Sequence, residues 1–222
     1  MPHDLIGFQS VSVGVDITDA ARQQLERLGF SVRADDGALL LAFGNGHLRV
    51  HAGAPLGFGA VALASRDVAA TRASLCQDGL DTPGLVCALT DSPAPAAALH
   101  ANGALALSSL TAVLDNPESA IPAYDRLFGL FSATPTDSMV TVHGCGPMLF
   151  LVDEDGFDHL HANLQSRLPK PPALAALSIA VADLDAAEAL LKAAGVKTSR
   201  SGPSLAIAPA DCLGLGLELV AG

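Results

Sequence analysis

The chain has no tryptophan, one tyrosine and eight phenylalanines in 222 residues. A pocket that grips a nucleotide or another planar group by stacking needs aromatic faces, so the shortage argues against one and no organic cofactor is expected. Positive charge is also scarce: 12 lysines and arginines stand against 23 aspartates and glutamates, for a formal net charge of −11 and a pI near 4.8. Phosphate backbones and anionic lipid surfaces repel such a chain, and neither nucleic acid nor a membrane is an expected partner. No apolar run reaches the roughly 18 residues that suggest a transmembrane span. The opening "MPHDLIGFQS" has neither a basic stretch nor a long apolar one, so a cytoplasmic protein is expected. The four cysteines, Cys76, Cys87, Cys145 and Cys212, form no C-x-x-C pair, which speaks against a zinc ribbon or a dithiol redox motif and for reduced thiols. Cys76, Cys87 and Cys212 sit in apolar contexts and are expected in the core. Cys145, between Gly144 and Gly146, reads as a more exposed thiol with no partner base. There is no G-x-S-x-G, and "GNG" and "GCG" open no G-x-G-x-x-G helix entry, so both read as hairpin turns.

What is present is apolar residue, at half of the composition, and a repeat. Four helical stretches, "AARQQLERLGF", "VAATRASLCQDGL", "AIPAYDRLFGL" and "AAEALLKAAGV", each end in a glycine: Gly29, Gly79, Gly129 and Gly195. Glycine at a helix end supplies a left-handed backbone at little steric expense. The first three lie 50 residues apart and the last follows after 66. Each helix is preceded by a short alternating strand, "VSVGV", "AVALA", "SLTAVL" or "ALSIAV", with Asp16 or Asp19, Asp67, Asn116 or Asp183 at the turn as helix cap. Downstream, "ALLLAFGNGHLRVHAG" and "DSMVTVHGCGPMLFLVD" read as β-hairpins, and Gly44 and Gly46 recur as Gly144 and Gly146 in the register that relates Gly29 to Gly129. Four βαβββ modules follow, at about 5–54, 55–103, 104–153 and 171–222. The second is the weakest, since its last strands must come from "PGLVCALT" and "PAPAAALHANGAL". "DEDGFDHLHANLQSRLPKPP" adds a helical insert near 154–170. The modules divide the chain into an N-terminal domain at 1–103 and a C-terminal domain at 104–222.

Repeated βαβββ units, with "DLDAA" before an apolar helix ending in "AAG" and "HANGA" before the third unit, resemble the vicinal oxygen chelate superfamily, which includes glyoxalase I, bleomycin-resistance proteins and extradiol dioxygenases. The resemblance implies an α+β fold in which paired modules form partly open mixed β-barrels with the helices outside. It also implies a divalent metal such as Zn, Ni, Mn or Fe, held by a His or Gln early in a module's first strand and a Glu in the last. Those positions fall here near Ser10, Ala60, Ser109 and Ala176, and near Arg49, Leu149 and Glu218. Only Glu218 keeps a ligand type. Gln9 lies one residue from its position, and one step along a strand turns a side chain to the other face. The site is therefore expected to be incomplete. The expected function is a small-molecule-binding cup, with a metal-dependent lyase, isomerase or dioxygenase as one alternative and a non-catalytic structural protein, a homodimer included, as the other.

Several residues carry two readings. Glu218 is either a metal ligand or a carboxylate on the wet face of the last strand. His47, Arg49 and His51 alternate with Leu48 and Val50 and share one face, either as a ligand-binding patch for an organic anion in the cup or as a solvated outer face. His100, with Asn102, is a candidate ligand-binding residue or a polar turn. In the cluster Asp155, Asp158, His159 and His161, the two histidines lie about 200° apart on a helix and cannot share an ion, so the plain reading is an acidic first turn with surface histidines.

Overall fold

In the chain's first segment Val11, Val13 and Val15 are buried and alternate with Ser10, Ser12 and Gly14. A strand with one face for the core and one for a cavity results. The computed structural model describes residues 4–76, 82–144, 146–164 and 168–222. The expected cap at Gly79, the exposure of Cys145, the burial of Cys76 and the insert at 165–167 lie outside the described residues and side chains. The first half contains β1 (Leu5–Val15), α1 (Thr18–Arg27), β2 (Arg33–Asp35), β3 (Ala38–Phe43), β4 (Gly46–Ala52), β5 (Gly57–Ser65), α2 (Val68–Cys76) and β6 (Val86–Thr90). The second contains β7 (Ala104–Val113), α3 (Ile121–Phe128), β8 (Ala133–Thr136), β9 (Met139–Val142), β10 (Met148–Val152), α4 (Glu154–Leu160), β11 (Ala173–Val181), α5 (Leu184–Ala193), β12 (Thr198–Ser201), β13 (Ser204–Ile207) and β14 (Gly216–Ala221).

The strands form two open mixed sheets, ordered β2-β3-β4-β1-β5-β6 and β12-β13-β14-β11-β7-β10-β9-β8. In each sheet two first strands lie antiparallel, β1 against β5 and β7 against β11, and each takes its own module's last strand in parallel on its other side. The α+β fold of paired, unclosed modules is thus as expected. Module two departs from it. β6 occupies the last-strand position beside β5, and no strand forms at 91–103, so this module is β-α-β without the middle hairpin. Pro93 and Pro95 explain part of this, since neither can donate to a ladder.

Gly29, Gly129 and Gly195 end their helices with φ of +83°, +110° and +70°, the conformation for which glycine is suited. Asp67, Asn116 and Asp183 cap as expected, each accepting a hydrogen bond from a backbone N–H of the following turn. Module one differs: Ile17 occupies its N-cap without a side-chain bond, so neither Asp16 nor Asp19 serves. The helix-facing sides of both sheets merge into one core, from Leu25, Leu41 and Val50 to Leu110, Ile179, Leu191 and Leu219. Each such side chain contributes about 1.5–3 kcal/mol of burial. The opposite faces of the two sheets form two cups. Among the described residues no helix is long and apolar enough to cross a membrane.

Candidate functional site

The first cup is written by strand register. Ser10 lies opposite His47, Ser12 opposite Arg49 and Gly14 opposite His51; across β3, Arg49 faces Leu40, which also faces Arg33 on the edge strand β2. On the other side of β1, Ser10 faces Ala62, with Ala60 one step along the same face. Leu48 and Val50 point into the core, so His47, Arg49 and His51 line the cup together, as the alternation implies.

Two cavities open on this floor. One, of about 480 Å³, is bounded by Gln9, Ser10, Arg33, Asp35, His47, Arg49 and Thr90, with 92–95 along its rim. The other, of about 730 Å³, lies beside Ser12, His51, Phe58, Ala60, Leu85, Val86, Cys87 and Leu174. Among the described residues neither Arg33 nor Arg49 has an acidic partner within ion-pair distance. Burial holds the His47 imidazole below its ordinary value, with Arg49 and Arg33 adding to the effect and Asp35 opposing it. His47 is therefore neutral at pH 7. Its buried Nδ1 has no hydrogen-bond partner, nor has Gln9 Oε1, while Gln9 Nε2 donates to the Ser92 carbonyl at 2.8 Å. Cys87 is no nucleophile here, since burial pushes its thiol up to about 11; the fully buried Cys212 rises to about 12.

The second cup is full. Asp153 caps α4 by accepting from Gly156 N–H, and the helix lays Phe157, with Leu160, Leu164 and Leu168 after it, against Val113, Val152, Ala175, Ala176 and Ala206. Close approach explains two glycines. A Cβ on Gly156 would meet the Ser138 carbonyl at 2.7 Å, and one on Gly216 would meet the Ala175 carbonyl at 2.5 Å and Leu164 at 3.0 Å. At the helix end His161 turns inward, 4.8 Å from the Phe157 ring. Its Nδ1 lies 3.0 Å from Glu218 Oε2 and its Nε2 lies 2.9 Å from Thr111 Oγ1. The hydroxyl, imidazole and carboxylate follow one another as in a nucleophilic triad. Thr111 is only 1% exposed, however, and none of the described cavities is bounded by the three residues, so their order serves structure.

The positions that the resemblance assigns to a metal do not carry a metal site. In register with Glu218 stand Ser178 and Ser109, with Met148 beyond. Leu149 faces the helices, so Met148, Phe150 and Val152 are the residues of β10 on the cup face. In the first cup the corresponding place holds Arg49, whose charge repels a cation. Among the described residues no group of three or more His, Cys, Asp or Glu is placed to hold an ion. Glu218 is buried and bonded to His161, so it lies neither on a wet face nor free to ligate.

His100 is a staple rather than a lining residue. Its Nδ1 accepts from Ser31 N–H at 3.0 Å, its Nε2 donates to the Ala42 carbonyl at 3.0 Å, and its ring sits between Phe30 and Phe43. Both nitrogens are engaged, which leaves none for a ligand. Asn102 completes the staple by donating to the Leu28 carbonyl. Asp155, Asp158 and His159 are exposed on α4, whereas His161, expected at the surface, is buried. Arg33 and the Thr111–His161–Glu218 chain were not visible in sequence.

No known protein family and no curated protein matches the chain in sequence. By structure it is similar to the Mn(II)-bound glyoxalase from Novosphingobium aromaticivorans, at 17% identity and TM-score 0.67, over 98% of this chain and 82% of that one. A variant of homoprotocatechuate 2,3-dioxygenase from B. fuscum gives 14% identity and TM-score 0.71, over 99% and 72%. A catechol 2,3-dioxygenase gives 15% and 0.63, over 99% and 88%. With its modules paired in two open sheets and these likenesses running almost end to end, the chain has the fold shared by these glyoxalase and dioxygenase structures.

Proposed function

We propose that the chain is a small-molecule-binding protein of this fold, whose first cup takes a small organic anion and whose second cup is filled by its own helix. The observation that carries the reading is the pair of guanidinium groups, Arg33 and Arg49, on either side of Leu40 at an open cavity, with Asp35 on the same wall but no acidic partner within ion-pair distance among the described residues. An arginine fork matches a carboxylate in shape as well as charge. Neutral His47, Ser10 and Ser12 add hydrogen-bonding groups without a counter-charge. The Mn(II) of the similar glyoxalase has no fitting ligand set in the described residues of this chain, so no metal-assisted step is assigned to it.

Calorimetric titration of the whole protein with acetate, benzoate and inorganic phosphate tests the reading. At least one of these anions should bind, and Arg49→Ala should weaken it about tenfold or more, as loss of a charge-assisted hydrogen bond does. Failure of all three to bind, or binding indifferent to Arg49→Ala, overturns it. So does a stoichiometric divalent ion in the purified protein that Glu218→Ala removes, which would favour the metal-dependent enzyme instead.

A further inference from the structure

The two cavities of the first cup share a floor. Ser10 in the smaller becomes Ser12 in the larger, Arg49 becomes His51, and Ala62 becomes Ala60. Each step is two residues along one strand, hence the same face about 7 Å further on. Their chemistry differs sharply. The smaller cavity has Arg33, Asp35 and Arg49 on its wall, while among the described residues the larger is bounded by no Asp, Glu, Lys or Arg. In their place it presents Phe58, Leu85, Val86 and three prolines, together with Leu174 from the second sheet. Val86 is 71% exposed, an apolar side chain left uncovered at the cavity edge.

We propose that the two cavities form one site for an amphipathic monocarboxylate, its charged end between Arg33 and Arg49 and its apolar body over Ser12 and Ala60 toward Phe58, Leu85 and Leu174. The inference rests on the anion-binding reading of this cup and adds the kind of anion. A compact anion such as phosphate would fill the charged half and leave the uncharged one wet. Ala60 lies across β1 from Arg49, two strands away on the cup face, so the head and the start of the tail lie roughly 10 Å apart, and Phe58, which packs on the main core, meets the tail only at the cavity edge. That span suits a chain of medium length. A tail there would also touch β6 of one sheet and the start of β11 of the other, bridging the two halves.

The experiment is calorimetric titration of the whole protein with acetate, butyrate, hexanoate and octanoate, and with hexan-1-ol as the uncharged control. Binding should tighten about three- to fourfold for each added methylene beyond butyrate, the effect of burying one CH₂. Hexan-1-ol should bind at least tenfold more weakly than hexanoate. Val86→Asp, at an exposed position, should weaken octanoate at least tenfold more than acetate and so flatten the chain-length dependence. If acetate and butyrate bind with dependence on Arg49 but octanoate binds no tighter, or if Val86→Asp leaves the length dependence intact, this inference falls and the anion-binding reading stands. If no acid binds, both fall.

Discussion

The two cups share four central strands in one register, yet one is open and charged while the other is packed by α4 and the residues that follow it. Arg49 of β4 faces Ser12 of β1; Glu218 of β14 faces Ser178 of β11. The open cup has lost a hairpin, so β6 ends its sheet and the irregular 91–99 segment only skirts the rim. The closed cup has gained α4 between its modules, and that helix brings Phe157 and His161 into the space a ligand would use. What distinguishes the cups is therefore what the chain places over a common floor. An insertion of one short helix turns a binding face into a second core.

The largest expected effect comes from emptying the filled cup. Phe157, 1% exposed and central to its apolar cluster, anchors α4. Phe157→Ala should destabilise the protein by about 3–5 kcal/mol, the usual range for truncating a fully buried phenylalanine. Phe58→Ala, a partly buried ring at the edge of the main core beside the open cup's larger cavity, should lower stability by clearly less, about 1–2 kcal/mol. Urea unfolding of both variants checks the contrast. Equal losses would mean that the two cups are equally filled.

Next comes the polar centre of the same cup. Glu218→Ala leaves His161 Nδ1 buried without this partner, and leaving a buried polar group unsatisfied typically costs about 1–3 kcal/mol. Glu218→Gln keeps an oxygen acceptor and should cost clearly less. A Glu218→Ala protein as stable as the parent would show that the His161 contact holds nothing, and would reopen Glu218 to a role in binding.

Much of the architecture was legible because its signals are local. Left-handed helix ends demand glycine and show as Gly29, Gly129 and Gly195, and alternation placed Arg49 on the cup face with His47 and His51. The cup's other groups depend on distant pairing. Arg33 stands on a three-residue edge strand, too short to alternate legibly, and meets the cavity only because β3 aligns Leu40 with both arginines. His161 was misread because it is the residue that leaves the helix, with φ of −120° and ψ of 44°, so a helical wheel does not locate it. His100 reads in sequence as a ligand-binding candidate or a polar turn because its partners lie 58 and 69 residues away.

That staple yields a smaller effect, dependent on pH. Burial lowers the His100 pKa, opposed in part by its bond to the Ala42 carbonyl, and protonation would also remove the acceptor that Ser31 N–H uses. The folded-state value lies below the unfolded one, so the contribution of His100 is fully present above about pH 6.5 and is lost as pH falls from there through the folded value. His47 shifts in the same direction. Urea midpoints should drop between pH 7.5 and 5.5. His100→Gln should be less stable than the parent by about 1–3 kcal/mol at pH 7.5, the penalty for disturbing a buried hydrogen-bonded group, and should show a smaller drop. An unchanged drop would assign the dependence to His47 or the carboxylates.

The smallest expected effect on stability belongs to the residues on which the proposed function most depends. Arg33 is exposed, Arg49 is half-buried, and neither is paired with an acidic group among the described residues, so truncating either leaves no buried charge uncompensated. Both lie at one cavity with neutral His47, and removing one positive charge relieves repulsion on the other while losing some packing of its aliphatic stem. These contributions oppose each other, and Arg33→Ala and Arg49→Ala should each change stability by less than about 0.5 kcal/mol. In the closed cup the same kind of truncation, at Glu218, removes a structural bond. A group that can be deleted without loss of stability, at an open cavity and in an acidic chain, is held there for something other than the fold. If Arg49→Ala instead costs several kcal/mol, the guanidinium is part of the sheet's own structure and the open cup is a second core less completely filled than the first.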